Sequence, residues 1–333
     1  MSDARTLLIE TADRLFGDLA AERETGFLAV WPPVAEAGFA HLLLPEERGG
    51  FGGDWGDLFA VARLAGVHAL PAPVGEAVVA AWALDAAGLS ALEGSATIAG
   101  GADGAIAGDR YSGVLRAVPW GGDVDFVVAV LDGMVVRLRV ADAVVERRLS
   151  PAGDPRDDLT FNAALAESAP TTIDLFACGA FLRTAQIAGA LDAALSASIA
   201  YANERVQFGK PISKFQTVQQ NLAIFAVEAA AVNSAGQGAA RAADAGDAGF
   251  EFAAAKLRAN MAADQGAALA HQVHGAIGFT LEYPLHLLTR RLMGWRSEFG
   301  GDRLWAERLG RRVAALGFEG LWPEMTRRSE TAR

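Results

Sequence analysis

Cysteine is almost absent from this chain: Cys178 is the only one among 333 residues. An internal disulfide is therefore excluded, and a reducing, cytoplasmic compartment is expected. Cys178 lies in the apolar stretch Phe176–Phe181. That setting predicts a small buried hydrophobe rather than a nucleophile.

Long apolar runs and positive charge are also scarce. No run of about 18 apolar residues occurs, so no membrane span is expected. The formal net charge of −11 argues against a nucleic-acid surface. A phosphate-bearing ligand stays possible, because local Arg and Lys side chains bind phosphate in acidic proteins. The N-terminus leads into a charged amphipathic helix rather than a signal-peptide core.

The chain is rich in apolar residues, which make up 52% against 21% charged. Its length exceeds one average domain. The order of patterns is helices, then strands, then helices, which favours segregated domains over a βαβ sheet. We predict a mainly α, α+β fold with an N-terminal helical domain (1–95), a small β-domain (96–170) and a C-terminal helical bundle (171–333).

Local patterns predict the individual elements. Helical periodicity spans 6–19, 27–39, 58–70, 173–204, 217–242 with a break near Gly236, 249–275, 284–295 and 303–316. Asp132-Gly133 between two β-branched runs predicts a type I′ hairpin over 126–140. Further strands are expected at 144–149 and from 159. The glycine-rich stretch 44–53 favours a helix–helix linker over a phosphate cradle, because no Lys-Ser/Thr pair follows it.

Two stretches carry the most information about function. The first runs from Arg205 through Gln207, Phe208, Gly209 and Pro211 to Phe215 and Gln216, and it places a cation, amides and aromatics at a break between two helices. The second, Gln272-Val273-His274-Gly275-Ala276, puts small residues where a helix ends, so that a ligand can approach the backbone. Together they suit a large anionic cofactor with an aromatic ring system.

These two stretches, with residues 281–284 and Arg290-Arg291, resemble the C-terminal domain of the acyl-CoA dehydrogenase flavoproteins. Ala276 stands where the family pattern has a second glycine. Stretch 44–50 resembles a loop of the family's N-terminal helical domain. The resemblance implies the three-part fold, an FAD cofactor and α,β-dehydrogenation of an acyl-CoA to a trans-2-enoyl-CoA. It also implies an electron-transferring flavoprotein as electron acceptor and an oligomeric assembly.

The resemblance assigns roles to residues of both stretches. Arg205 matches the arginine that reaches a pyrophosphate across a subunit interface, and a guanidinium offers phosphate a bidentate fork. The alternative for Arg205 is a salt bridge with Glu204 or Glu228. The other residues assigned to the cofactor are Gln207, Phe208, Phe215, Gln216, Gln272, Val273, His274, Gly275, Ala276 and Trp120.

Two of these assignments have structural alternatives. Trp120 either stacks on the flavin ring or is an ordinary core tryptophan. His274 is a proton-transfer group or, as we favour, a histidine at a helix end bonded to backbone. His271, His274 and His286 have no acidic partner at ligand spacing, so no metal site is expected.

The chain departs from the family pattern at two places. The family's middle domain carries a Thr-Glu-Pro-Gly-x-Gly-Ser-type loop against FAD and substrate, and no equivalent is found here. The catalytic base is also displaced. In one class of the family it is a Glu shortly after an Arg like Arg290, and here Glu298 falls one residue early. In the other class it lies on the long helix near Gly179, where no Glu occurs.

The sequence leaves three hypotheses about function open. The first is an acyl-CoA dehydrogenase with Glu298 as base. The second is a shortened subunit that completes the FAD site of a full-length partner, as in bacterial steroid and other CoA-ester degradation. A large subunit interface fits the high apolar content of the chain. The third is a non-catalytic assembly protein. A flavin monooxygenase or nitroalkane-oxidase-like relative has no specific support.

Overall fold

The computed structural model describes residues 3–21 and 26–331. Its longer helices account for most of that part of the chain. They are α1 (Asp3–Ala21), α2 (Phe27–Glu36), α3 (Trp55–Val67), α4 (Val74–Ala86), α5 (Leu175–Glu204), α6 (Gln216–Asp244), α7 (Gly249–His274), α8 (Leu285–Ser297) and α9 (Asp302–Thr331). None of these helices is long and apolar enough to cross a bilayer.

The strands between α4 and α5 form one mixed sheet. They are β1 (Ala96–Ile98), β2 (Ala102–Ala107), β3 (Arg110–Pro119), β4 (Phe126–Leu131), β5 (Met134–Arg139), β6 (Ala143–Glu146) and β7 (Arg156–Pro170). The spatial order is β1-β4-β5-β7-β3-β2, with β6 also paired to β7. Only the β1–β4 pair is parallel among these described strands. The mainly helical fold with a β-domain is the predicted one.

The predicted hairpin is confirmed in place and in turn chemistry. Leu131 pairs with Met134 across the turn. Asp132 and Gly133 have φ values of 49° and 75°, the positive values that a type I′ turn requires. The turn fixes the register, so Val127 and Leu138 lie opposite each other and both are buried.

The long strand β3 was not predicted. It is irregular, because its pairing with β7 shifts register at two points. Gly113 interrupts its apolar pattern, and an added Cβ there would overlap the carbonyl oxygen of Asp103 on β2. Tyr111 nevertheless packs edge-on against Phe161 of β7, with ring centroids 5.8 Å apart. Tertiary packing therefore outweighs a weak local strand signal.

The helices of the bundle differ from the prediction at Gly236 and beyond Leu316. The break expected near Gly236 is wrong, since α6 runs through this buried glycine without interruption. An interior glycine costs a helix about 1 kcal/mol, which tertiary packing outweighs. The last predicted helix was expected to stop at Leu316. The backbone does break at Gly317, with φ 67°, but the helix then resumes to Thr331.

The glycine-rich stretch 44–53 is a linker that folds back on itself. The amide of Gly52 donates to the carbonyl oxygen of Leu44 at 2.9 Å, and that of Gly53 donates to Leu42 at 2.9 Å. Amides used inside the loop do not face outward to cradle a phosphate, which confirms the linker interpretation. Cys178 is buried, and burial raises the pKa of its thiol, as expected for an inert apolar position.

Backbone contacts divide the chain into two compact units. One comprises residues 1–61 and 70–182, and the other comprises 62–69 and 183–333. The three-domain boundaries therefore stay a prediction. The second unit contains the C-terminal helical bundle, in which α7 packs against α6, α8 and α9. Gly266 of α7 lies against Phe225 of α6 and Leu191 of α5, so its lack of a side chain lets three helices meet.

The bundle predicts a steric cost at Gly189. An added Cβ would overlap the carbonyl oxygen of Arg63 and lie 2.8 Å from the amide nitrogen of Val67. Backbone cannot swing aside, so we expect Gly189→Ala to lower the free energy of unfolding by roughly 1–3 kcal/mol in urea titrations. Gly310→Ala is the matched control, because its Cβ meets no described atom within 4 Å. It should be neutral or slightly stabilising, and equal effects at the two sites would contradict the packing described here.

Candidate functional site

The segment between α5 and α6 forms a short exposed hairpin. Strands β8 (Val206–Gln207) and β9 (Lys210–Pro211) pair across a two-residue turn. The turn residues Phe208 and Gly209 have φ values of 50° and 76°. Positive φ at a phenylalanine is uncommon and costs conformational energy. The chain thus holds a large aromatic at the tip of a turn, where 93% of Phe208 is exposed.

Arg205 stands at the base of this hairpin without an ionic partner. Its residue is exposed, and no carboxylate of residues 3–21 or 26–331 lies within ion-pair distance of its guanidinium. One proposed structural alternative is excluded, because Glu228 pairs with Arg258 instead. The guanidinium of Arg205 is therefore available to an external anion.

The rest of the hairpin arranges aromatics and cations around the start of α6. The rings of Phe208 and Phe215 meet edge to face, with centroids 6.3 Å apart. The ammonium of Lys210 lies 4.5 Å from the Phe215 ring centroid. Phe215 caps α6 without a side-chain acceptor, and exposed Gln216 begins the helix. First-turn amides and the helix dipole favour an anion at such an end.

The end of α7 presents an open backbone. Gly275 terminates the helix with φ 62°, and an added Cβ would meet no described atom within 4 Å. Gln272, Gly275 and Ala276 are exposed, whereas Val273 is buried. The side chain of Ala276 thus points to no crowded interior. This surface can be approached closely by a ligand or by another subunit.

His274 is a structural histidine at this helix end. Its Nδ1 lies 2.8 Å from the carbonyl oxygen of Ala270, and its Nε2 lies 3.2 Å from the hydroxyl oxygen of Tyr283. The ring also stacks on Tyr201 at 4.7 Å. Burial lowers the pKa of His274, which favours a neutral imidazole. Both nitrogens are engaged inside the protein, as the helix-end interpretation expects.

His271 lies one turn earlier and has one ring nitrogen engaged, while its buried Nδ1 has no hydrogen-bond partner among the described residues. Its Nε2 lies 3.1 Å from the hydroxyl oxygen of Thr289, and its ring stacks on Phe279 at 4.2 Å. Burial and the neighbouring His274 lower its pKa. Among the described residues no group of His, Cys, Asp or Glu side chains could hold a metal ion.

Trp120 lies in the sheet unit, with 7% of its surface exposed. It belongs to the core cluster of that unit and packs on Phe27, with ring centroids 6.0 Å apart. This placement favours the core alternative for Trp120. Contact with a flavin ring stays a prediction.

Glu298 is engaged with a buried arginine. Its Oε2 accepts a hydrogen bond from Nε of Arg183 on α5 at 2.6 Å. The Arg183 side chain is 1% exposed and that of Glu298 is 15% exposed. The guanidinium also donates to Gln186 Oε1 at 2.6 Å and lies 5.2 Å from the Phe299 ring centroid. A base must offer a lone pair to a substrate proton, and here one carboxylate oxygen already accepts from Arg183.

Lys256 is a functional candidate that the sequence reasoning missed. This fully buried residue of α7 donates to Asn260 Oδ1 at 2.5 Å and to the carbonyl oxygens of Trp295 and Arg296 at 3.0 and 3.1 Å. Burial, with Arg183 nearby, lowers its pKa from 10.5 to about 7. A lysine inside the apolar run 252–257 was the available signal, because a buried cation needs acceptors.

Lys256 predicts a pH-dependent stability. Its pKa is about 7 in the folded chain and 10.5 in the unfolded reference, so between these values the unfolded chain binds more protons. The stability of the wild type should therefore rise with pH relative to Lys256→Met, by up to ~1.4 kcal/mol per pH unit. Urea titrations of both proteins at about pH 6 and about pH 9 measure this difference. The exposed-lysine control Lys214→Met should track the wild type. A flat or falling difference would contradict the burial of a titrating Lys256.

Comparison with known proteins places this geometry in a family. A protein-family model, described as acyl-CoA dehydrogenase, C-terminal domain, matches residues 170–314 of the sequence. The acyl-CoA dehydrogenase IpdE2 of Mycobacterium tuberculosis is 31% identical over 276 residues, which are 80% of this chain and 80% of that protein. The chain belongs to the acyl-CoA dehydrogenase family.

A longer relative and a solved structure are also similar to this chain. FadE34 of Mycobacterium tuberculosis is 33% identical over 317 residues, which are 88% of this chain and 43% of FadE34. The chain thus spans less than half of the length of that relative. A chain in the crystal structure of the ChsE4-ChsE5 complex from Mycobacterium tuberculosis shares the fold, with a TM-score of 0.86 at 24% identity. The match covers 94% of this chain and 98% of the chain in that complex. Family membership makes this chain a relative of oxidoreductases.

Two neighbouring parts of this acyl-CoA dehydrogenase family member have residues that fit FAD. The unengaged guanidinium of Arg205 matches a pyrophosphate in charge and geometry. Exposed Phe208 and half-buried Phe215 offer aromatic surface to an adenosine, and Gly275 leaves its backbone open. These features lie in one unit, on the hairpin before α6 and at the end of α7.

Proposed function

We propose that this chain is a subunit of an FAD-dependent acyl-CoA dehydrogenase that oxidises an acyl-CoA thioester to a trans-2-enoyl-CoA. The observation that carries the proposal is the exposed hairpin, which holds Arg205, without an ionic partner among the described residues, beside the outward-facing ring of Phe208. Backbone strain at an exposed residue is concentrated at binding and catalytic sites. A ligand or a partner subunit covering the hairpin gives this arrangement a use.

The residues of the chain would divide the work of holding the cofactor. Arg205 would bind the pyrophosphate, with Gln207 beside it. Phe208, Phe215 and Gln216 would bind the adenosine part, and the backbone at Gln272–Ala276 would line it. FAD, when bound, supplies the hydride acceptor of the reaction. Because Arg205, Gln207, Phe208 and Gln216 are exposed, as are Gln272, Gly275 and Ala276, they support a site completed by another subunit.

Glu298 would be the base that removes the α-proton in a chain active on its own. It would have to exchange its contact with Arg183 for the substrate, at a cost in a buried setting. That cost favours a second candidate function, in which this chain completes the FAD site of a full-length acyl-CoA dehydrogenase and leaves the proton to its partner. The ChsE4-ChsE5 complex supports an assembly of two different subunits.

Anaerobic reduction by acyl-CoA distinguishes the two functions. The FAD-loaded assembly, prepared from this chain alone and together with any full-length acyl-CoA dehydrogenase that co-purifies, is mixed with a panel of acyl-CoAs. A dehydrogenase active alone should lose its flavin absorbance and form the enoyl-CoA, and Glu298→Gln should slow this by roughly 100-fold or more. Reduction only in the mixed assembly, unaffected by Glu298→Gln, would assign the base to the partner. FAD reduced by dithionite but by no acyl-CoA in either assembly would count against both.

A further inference from the structure

The segment that carries Glu298 is held in an uncommon conformation. We use the name Glu298 segment for residues 295–301, which join the end of α8 to α9. Phe299 has φ 50° and Gly300 has φ 97°. A phenylalanine in this region costs energy and persists only where its surroundings fix it. An added Cβ at Gly300 would lie 2.5 Å from Nε1 of Trp305, so the glycine is also needed for packing.

Contacts from three helices fix this segment. Trp305 Nε1 on α9 donates to the carbonyl oxygen of Phe299 at 2.9 Å. Asn260 Nδ2 on α7 donates to the carbonyl oxygen of Gly300 at 3.3 Å. Arg183 on α5 holds the Glu298 carboxylate. The segment is therefore held through both its backbone and its side chain.

Lys256 supplies the contacts that hold the start of the segment. Its amino group donates to the carbonyl oxygens of Trp295 and Arg296, in the last turn of α8. Last-turn carbonyls have no partner within the helix, and a lysine there satisfies them. Its third contact is Asn260, which also binds Gly300. Lys256 and Asn260 thus link the two ends of the segment from one face of α7.

We propose that Lys256 is the positioning residue of the Glu298 segment, fixing the end of α8 and with it the place of the Glu298 carboxylate. The charged groups that face it are Arg183 from α5, Arg296 and Glu298 around the end of α8, and Asp302 from α9. A role of the Glu298 carboxylate in proton transfer rests on the proposed function. The placement of that carboxylate by Lys256 does not depend on the proposed function.

The pH dependence of the segment follows from the same burial. Lys256 is a poor base inside the folded chain, with a pKa of about 7. An opening of the segment that brings its amino group into water restores the proton affinity. Such an opening becomes less favourable as the pH rises through 7.

Hydrogen exchange of the intact chain tests the proposal. After correction for intrinsic rates, protection of peptides covering 295–301 should rise by roughly tenfold from about pH 6 to about pH 8 in the wild type. In Lys256→Met the protection should be lower at about pH 8, again by roughly tenfold, and independent of pH. Lys214→Met, which changes an exposed lysine, should match the wild type.

Several outcomes would overturn the proposal. One is a wild-type segment whose protection does not change with pH, a result that needs no variant to fold. Another is a loss of protection in Lys256→Met that is equal across α5, α7 and the segment, which would mark Lys256 as a general core residue. Failure of the proposed function would appear separately, as absence of acyl-CoA reduction with the exchange pattern intact.

Discussion

Replacing Arg205 by Gln should weaken FAD binding by roughly 10- to 100-fold, because a charge-assisted bidentate contact to phosphate contributes about 1.5–3 kcal/mol. The side chain is exposed and has no ionic partner among the described residues. Its loss should therefore leave the stability of the apoprotein unchanged within about 0.5 kcal/mol. Equilibrium titration with FAD, followed by flavin fluorescence, measures the effect.

Arg241→Gln is the matched control for this prediction. Arg241 is also exposed and lies in the same unit, in the last turn of α6, far along that helix from the hairpin. Both variants remove one positive charge, so a general electrostatic effect on an anionic ligand would change them equally. Equal FAD affinities for the two variants would contradict the assignment of Arg205 to the pyrophosphate. Weakening confined to Arg205→Gln supports it.

Breaking the Arg183–Glu298 pair should destabilise the chain strongly. Removing one partner of a buried pair leaves an uncompensated charge and costs about 3–5 kcal/mol. Arg183 is 1% exposed and also donates to Gln186. We therefore expect Arg183→Met to lower the free energy of unfolding by about that amount in urea titrations.

The exposed pair Arg311–Glu307 on α9 provides the comparison. Arg311→Met should cost about 0.5 kcal/mol or less, as surface pairs do. A double-mutant cycle of Arg183→Met with Glu298→Gln should show a coupling energy above about 1 kcal/mol. If Arg183→Met alone lowers the free energy of unfolding by less than about 1 kcal/mol, Arg183 and Glu298 do not form a stable pair in solution. Glu298 would then be freer to act as a base.

The sequence specified those parts of the fold that depend on local chemistry. Asp132-Gly133 predicted its hairpin because positive φ is a property of two adjacent residues. The break after Glu204 was readable because Gly209 and Pro211 interrupt a long helical pattern. Strand β3 was not readable, since its irregular register is set by pairing with β7. The helix break predicted at Gly236 was wrong because the burial of this glycine within α6 depends on tertiary packing.

The candidate site divides in the same way. Arg205 and Phe208 could be identified because the motif and the turn lie together in the chain. The partner of Glu298 could not, because Arg183 lies on a helix far away in sequence and meets Glu298 only in the folded bundle. Lys256 was missed for the same reason, since the carbonyls it binds belong to α8. Long-range polar networks need the fold before they can be read.

The central claim is that this chain contributes its hairpin to an FAD site, and the visible absorbance spectrum of the purified protein tests it most directly. The spectrum is recorded for the chain expressed alone and together with a full-length acyl-CoA dehydrogenase, before and after adding excess FAD and removing what is unbound. We expect flavin bands to be retained in at least one of these preparations and to be lost from the corresponding Arg205→Gln preparation. Absence of retained flavin in every preparation, with the chain folded, would contradict the account and favour an assembly protein without a cofactor.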